Sequence, residues 1–162
     1  MTALLGRIDR WAVDLGIETE HLNDHCIVVT LPGSKRLQVP VALTVTPQAL
    51  LIETFVARGT DQDPRPLYEF LLRRNSKAFG VAYCTDKFGD VYLVGRLPIS
   101  GVNEEALDLV LASVMGMADG DFNTILELGF SESIEREWKW RLARGESTAN
   151  LEAFTHLRPS ES

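Results

Sequence analysis

LLRRNSKAFGVAYCTDKFGDVYLVGRL, residues 71–97, contains the end of a helix and a complete β-hairpin. Phe79, Val81 and Tyr83 alternate along a first strand, and Val91, Leu93 and Gly95 along a second. This is the two-residue period of half-buried antiparallel strands. Between them Asp86, Lys87, Phe88, Gly89 and Asp90 spell a tight turn, with Gly89 placed to supply a positive φ. Upstream, Leu67, Phe70 and Leu71 form the apolar side of a helix over residues 67–75. Arg73, Arg74 and Lys77 complement its C-terminal dipole. Nothing in the stretch has the spacing of a catalytic motif.

Working toward the N-terminus, residues 58–66 (RGTDQDPRP) read as a loop, with Asp63 as N-cap and Pro64 as first helical residue. Before it lie three predicted strands, residues 26–31, 36–46 and 49–57, joined as a meander. In the middle one Leu37, Val39, Val41, Leu43 and Val45 hold the core face, while Pro40 removes a ladder donor and predicts an edge strand or bulge. The chain opens on an amphipathic helix capped by Thr2, with Leu4, Ile8, Trp11 and Leu15 on one side and Gly16 as its left-handed terminator.

Toward the C-terminus, Asn103 caps a long helix carrying Leu107, Val110, Leu111, Val114 and Met117. Residues 118–121 (ADGD) either kink it or expose a polar turn before Phe122, Ile125, Leu126 and Leu128 resume the spacing, and Gly129 ends it. Two further helices follow, residues 132–144 stopped by Gly145, and 147–157. The first is laced by Glu132 with Arg136, Glu135 with Lys139 and Glu137 with Arg141. Its apolar face is Ile134, Trp138 and Leu142, so Trp140 points away, unless the last helix covers it around Leu151 and Phe154. The order is α-βββ-α-ββ-α(αα), an α+β fold with helices packed on an antiparallel sheet, expected as one domain over residues 1–157 with a polar tail at 158–162.

The chain has 162 residues, 45% of them hydrophobic, enough for one core. Its formal charge is −7, from 23 acidic and 16 basic residues. That balance opposes binding to a phosphate backbone. Charges at Arg7, Asp9 and Arg10 interrupt any signal-peptide pattern, and no run approaches the ~20 apolar residues of a membrane span. A cytoplasmic protein with no nucleic-acid or membrane partner is expected. Cys26 and Cys84 sit in strand patterns and read as reduced, buried thiols. His21, His25 and Cys26 flank a strand start without metal-ligand spacing. Asp119, Asp121 and Glu127, or Asp86 and Asp90, lack the donor series of a cation loop. No cofactor is indicated.

Three groups of segments carry a family resemblance. They are LPG (31–33) with its meander, YEFLLRRN (68–75) with FGVAY (79–83) and DVYLVGR (90–96), and ADGDFN (118–123). The order of elements and these motifs resemble the YbjN-like family, whose fold is similar to the type III secretion chaperones. EWKWR (137–141), RGES (144–147) and NLE (150–152) are similar to its actinobacterial branch. The resemblance covers nearly the whole chain and brings no catalytic residue. It implies a non-enzymatic, chaperone-like protein-binding domain of the kind labelled sensory transduction regulators. Trp138, Trp140, Arg141 and Tyr92 are the candidate partner surface, since tryptophan and arginine concentrate in interaction hot spots and Tyr92 lies opposite Val91 and Leu93. A homodimer using that patch on itself is a further possibility. The alternative reading is a small-ligand sensor or enzyme with a pocket between sheet and long helix, lined by Tyr83, Arg96 and Asn123.

Overall fold

The computed structural model describes residues 2–160, with elements in the order α1 (Thr2–Asp14), β1 (Glu18–Asn23), β2 (Cys26–Pro32), β3 (Gln38–Val45), β4 (Ala49–Ala57), α2 (Arg65–Asn75), β5 (Val81–Thr85), β6 (Val91–Pro98), α3 (Glu104–Val114), a π-helical turn (Met115–Asp119), α4 (Phe122–Arg144) and a terminal 3-10 segment (Ala149–Leu157). The strands form one antiparallel sheet in the order β1-β2-β3-β4-β6-β5. Alternation fixes its inner face. Ile27, Val29, Val39, Val41, Leu43, Leu50, Ile52, Val91 and Leu93 are almost fully buried, beneath Ile8 and Trp11 of α1, Leu67 of α2 and Val110 of α3.

The α+β architecture stands, with local corrections. The meander has a fourth strand, β1, which pairs with β2 at the sheet margin although its sequence, ETEHLN, shows no apolar alternation. Leu37 precedes β3 and is 90% exposed. Phe79 precedes β5 and is exposed, because Gly80 adopts φ +70 and breaks the alternation before the strand begins. Leu15 falls after α1 and is exposed, while Gly16 (φ +69) ends the helix as expected. The Thr2 side chain lies outside the described residues. Helix α2 starts at Arg65 with Pro64 at its cap, and Asp63 accepts from the Arg65 N–H instead of capping directly. Cys26 is buried, but Cys84 is exposed, and partial burial with the carboxylates of Glu53 and Asp86 raises its thiol pKa.

Pro40 does not mark an edge strand, since β3 lies inside the sheet. The β3–β4 ladder runs only from Val45↔Leu50 to Ala42↔Glu53, so Pro40 falls just beyond it. Two side chains fill in. The Thr54 hydroxyl donates to the Pro40 carbonyl (2.6 Å), and Arg36 Nη1 donates to the Phe55 carbonyl (3.0 Å).

The long helix is bent twice. At residues 115–119 an i→i+5 turn, Gly120 N–H to Met115 O (3.1 Å), widens the helix and presents Asp119 inward. Gly129 does not terminate it. The chain departs from helical geometry at Phe130 (φ −142, ψ 22) and continues to Arg144. The carbonyls freed at that break accept from the Gln62 amide (Leu128 O, 3.2 Å) and the Thr60 hydroxyl (Gly129 O), and Gln62 Oε1 accepts from the Glu132 N–H. The helical run 104–144 has the length and apolarity of a membrane span, contrary to the sequence expectation, yet Leu107, Val110, Leu111, Val114, Met117 and Ile125 are buried in the core.

Candidate functional site

Asp119 is the most heavily hydrogen-bonded carboxylate among the described residues. The π turn directs it at the β2–β3 loop, where it accepts from the backbone N–H groups of Ser34 (3.1 Å), Lys35 (2.8 Å) and Arg36 (2.8 Å) and from the Ser34 hydroxyl (2.8 Å). Gly33 permits this approach, since a Cβ there would collide with the Arg36 carbonyl and sit 2.7 Å from Asp119 Oδ1. Burial alone would raise the carboxyl pKa, but the Arg36, Ser34 and Lys35 donors outweigh it and hold the group at about 2. The acidic motif noticed in the sequence is therefore an anchor that holds the loop carrying Arg36. Asp121, two residues on, binds Arg74 Nε (2.7 Å) and accepts from the Tyr83 hydroxyl (3.1 Å). Burial and this carboxylate raise the phenol pKa.

Tyr83, Arg96 and Asn123 do not line one pocket. Tyr83 pairs with Leu93 on the buried face, whereas Arg96 pairs with Leu51 on the accessible one, so the sheet separates them. The Asn75 amide also closes the edge of β5, accepting from the Tyr83 N–H (2.7 Å) and donating to its carbonyl (3.2 Å) as a neighbouring strand would.

The structure divides the four candidate partner residues. Trp138 is 3% exposed. With Phe130, Ile134, Leu151 and Phe154 it forms a second apolar cluster, and its indole N–H donates to the Phe154 carbonyl (3.0 Å). The terminal segment thus covers Trp138, the position considered for Trp140, while Leu142 lies past the cluster and is exposed. Trp140 is 45% exposed, with the Arg144 guanidinium 4.9 Å and that of Arg141 6.0 Å from its ring centre. Arg141 is held by Glu137 (2.6 Å) and the Ser147 carbonyl (2.7 Å). Of the three predicted helix ion pairs only this one forms among the described residues, and Arg136 turns to Ser133 instead.

Tyr92 lies elsewhere, on the accessible face of β6, edge-on to Phe55 of β4 with ring centres 5.5 Å apart. The rows Cys84, Tyr92, Phe55 and Ala82, Val94, Glu53, Ala42, Val28 run across this face. Their side chains are half-buried or exposed, unlike those of the inner face. Phe55 also borders a groove of about 410 Å³ between the end of β4 and α4, lined by Arg36, Arg58, Phe122, Leu126 and Phe130. Sequence reasoning missed this groove. Its available signal was Phe122, Leu126 and Phe130 at i, i+4 and i+8.

A family profile, YbjN, described as "Putative bacterial sensory transduction regulator", matches residues 5–127. An uncharacterized protein of Mycobacterium tuberculosis (strain ATCC 25618 / H37Rv) is 48% identical over 134 residues, covering 83% of this chain and 73% of its own. Among solved structures, the ExsC–ExsE complex superposes with a TM-score of 0.56 at 20% identity, over 77% of this chain and 96% of that one. The heterodimeric ExoU–SpcU complex from the type III secretion system of Pseudomonas aeruginosa gives 0.54 at 16% identity, over 76% and 98%. YbjN from E. coli gives 0.53 at 19% identity, over 74% and 91%. The shared property at these identities is the fold, that of the type III secretion chaperones and of YbjN.

Proposed function

The chain belongs to the YbjN family, and from that membership we propose that it is a non-enzymatic, chaperone-like domain of the cytoplasm that holds a segment of a partner protein. The observation that carries this reading is the one-sided sheet. All helices that bury the core lie on its inner face, and the outer face offers Phe55, Tyr92, Val94 and Val28 to solvent. Phe55, Tyr92 and Val94 adjoin on this face, and an accessible apolar patch is the usual mark of a protein contact. Two proteins sharing the fold have been solved in complex with a different protein, ExsC–ExsE and ExoU–SpcU, which supports the same reading. Tyr92 with Phe55 on the sheet and Trp140 with Arg141 at the end of α4 are the proposed contact residues. Trp138 serves them indirectly, by pinning the terminal segment that positions the end of α4.

The test is affinity capture from native lysate, comparing wild type with a folded Trp140→Ala, Arg141→Ala variant and with Tyr92→Ala. A protein retained reproducibly by wild type and lost by a variant is the expected result. Identical capture by all three contradicts the surface, and no retained protein with wild type contradicts the function.

A further inference from the structure

The groove between β4 and α4 runs against the overall charge of the chain. The protein carries a formal charge of −7, yet the groove is lined by Arg36 and Arg58 with Phe55, Val56, Ala57, Phe122, Leu126 and Phe130, and by no carboxylate. Both guanidinium groups are laid over aromatic rings of its floor, Arg36 5.1 Å from the Phe122 centre and Arg58 4.3 Å from that of Phe130. Arg58 has one exposed, long ion pair with Asp61 (3.5 Å). Arg36 makes no ion pair among the described residues. Its side chain donates to the Phe55 carbonyl, and Asp119 is engaged by its backbone N–H instead of its guanidinium. A partly buried cation without a carboxylate is costly to hold. Burial accordingly lowers the Arg36 pKa, against the charge of Asp119.

The β3–β4 ladder ends at the same place. Strand β4 continues to Ala57, but its ladder with β3 stops at Glu53, because Pro40 brings no N–H and the Arg36 side chain occupies the Phe55 carbonyl. Beyond Glu53 side chains bridge the two strands, the Thr54 hydroxyl to the Pro40 carbonyl and Arg36 to the Phe55 carbonyl, and Phe55 is the residue of this stretch left exposed beside the groove. An extended chain lying there would meet the exposed Phe55 ring, an apolar floor and two cations in forked geometry suited to carboxylates.

We propose that this groove binds an extended segment of a partner protein in which an aromatic or aliphatic side chain is flanked by Asp or Glu. The apolar residue lies beside Phe55, Phe122 and Leu126, and the flanking carboxylates pair with Arg36 and Arg58. This rests on the protein-binding reading above and names the chemistry of the bound segment. Asp119 has a defined part, since it fixes the loop that delivers Arg36. The formal charge of −7 opposes indiscriminate attachment of such a segment.

The test is selection from a displayed library of random dodecapeptides against the full chain. The Kd of a synthetic, fluorescein-labelled copy of the dominant peptide is then measured by anisotropy. Enriched sequences carrying Asp or Glu within a few residues of Phe, Leu or Ile are expected. Arg36→Met, which keeps the stem over Phe122, should weaken the peptide at least tenfold, and raising NaCl from 0.05 to 0.5 M should weaken it several-fold. Arg58→Met, at a mostly exposed side chain, is the second variant should Arg36→Met unfold. Repeating the selection on Arg36→Glu should shift enrichment toward Lys and Arg. Neutral or basic peptides on wild type, or acidic peptides indifferent to both methionine variants, overturn the groove assignment while leaving protein binding intact. Failure to enrich any peptide overturns it as well, and the lysate capture then judges the broader reading independently.

Discussion

Asp119→Asn probes how the π turn serves the rest of the fold. The wild-type carboxylate accepts from four donors of the β2–β3 loop, whereas an amide keeps one acceptor oxygen and turns an NH2 toward N–H groups. The displacement of the carboxyl from its ordinary 3.8 to about 2 sets an upper bound of roughly 2.5 kcal/mol on what ionised Asp119 adds to stability. Ser34 and Lys35 are exposed, so water compensates part of it, and a loss of about 1–2 kcal/mol is expected at pH 7. With a urea m-value of about 2 kcal/mol/M for a domain of this size, the midpoint falls by about 0.5–1 M. Because the native pKa is depressed, the stabilisation is complete above about pH 4 and disappears as the pH falls toward 2. The wild-type and Asp119→Asn urea curves should therefore converge over that window. Equal midpoints at pH 7, or a gap that persists unchanged at pH 2.5, would refute the anchoring role.

Other outcomes follow from the same geometry. Gln62→Ala removes the bridge across the break at Phe130 and should cost about 1–2 kcal/mol, with faster amide exchange at Glu132 than at Leu107. Trp138→Phe deletes the indole donor to Phe154 and should open the terminal segment to protease while leaving the thermal transition of the main core nearly unmoved. Loss of the whole fold would contradict the separation of the two apolar clusters. Gly95→Ala places a Cβ against the Gly80 carbonyl and 2.8 Å from Val81 Cγ1. It should destabilise by about 2–3 kcal/mol, measured by thermal unfolding. Asn75→Ala uncovers the edge of β5 and should raise concentration-dependent self-association, read by light scattering.

The parts of this fold that were legible in the sequence are those governed by local period. Val39, Val41, Leu43 and Val45 alternate and are buried, the Gly89 turn forms with φ +84, and Asn103 accepts from the Ala106 N–H. What local pattern cannot carry was missed. Strand β1 is polar because it lies at the sheet margin and is specified by pairing with β2. The break at Phe130 depends on Thr60 and Gln62, distant in sequence, so helical periodicity placed the end at Gly129. Leu37 and Phe79 continued an apolar alternation past the strand ends. Of the candidate contact residues, Tyr92 was placed on the accessible face from alternation alone. The choice between Trp138 and Trp140 needed the terminal segment, whose path no periodicity encodes. Pro40 was noticed for its missing donor, but its effect, the shortened ladder that leaves the Phe55 carbonyl to Arg36, belongs to three strands at once.

Photocrosslinking in the native host tests the central claim most directly. With p-benzoylphenylalanine at position 92, on the accessible sheet face, and at position 13, exposed on helix α1 of the opposite side, as control, irradiation of the folded protein should yield a defined adduct with another protein from position 92 and none from position 13. No protein adduct from position 92, with the fold intact by circular dichroism, would contradict the account of this domain as a holder of partner segments on its open sheet.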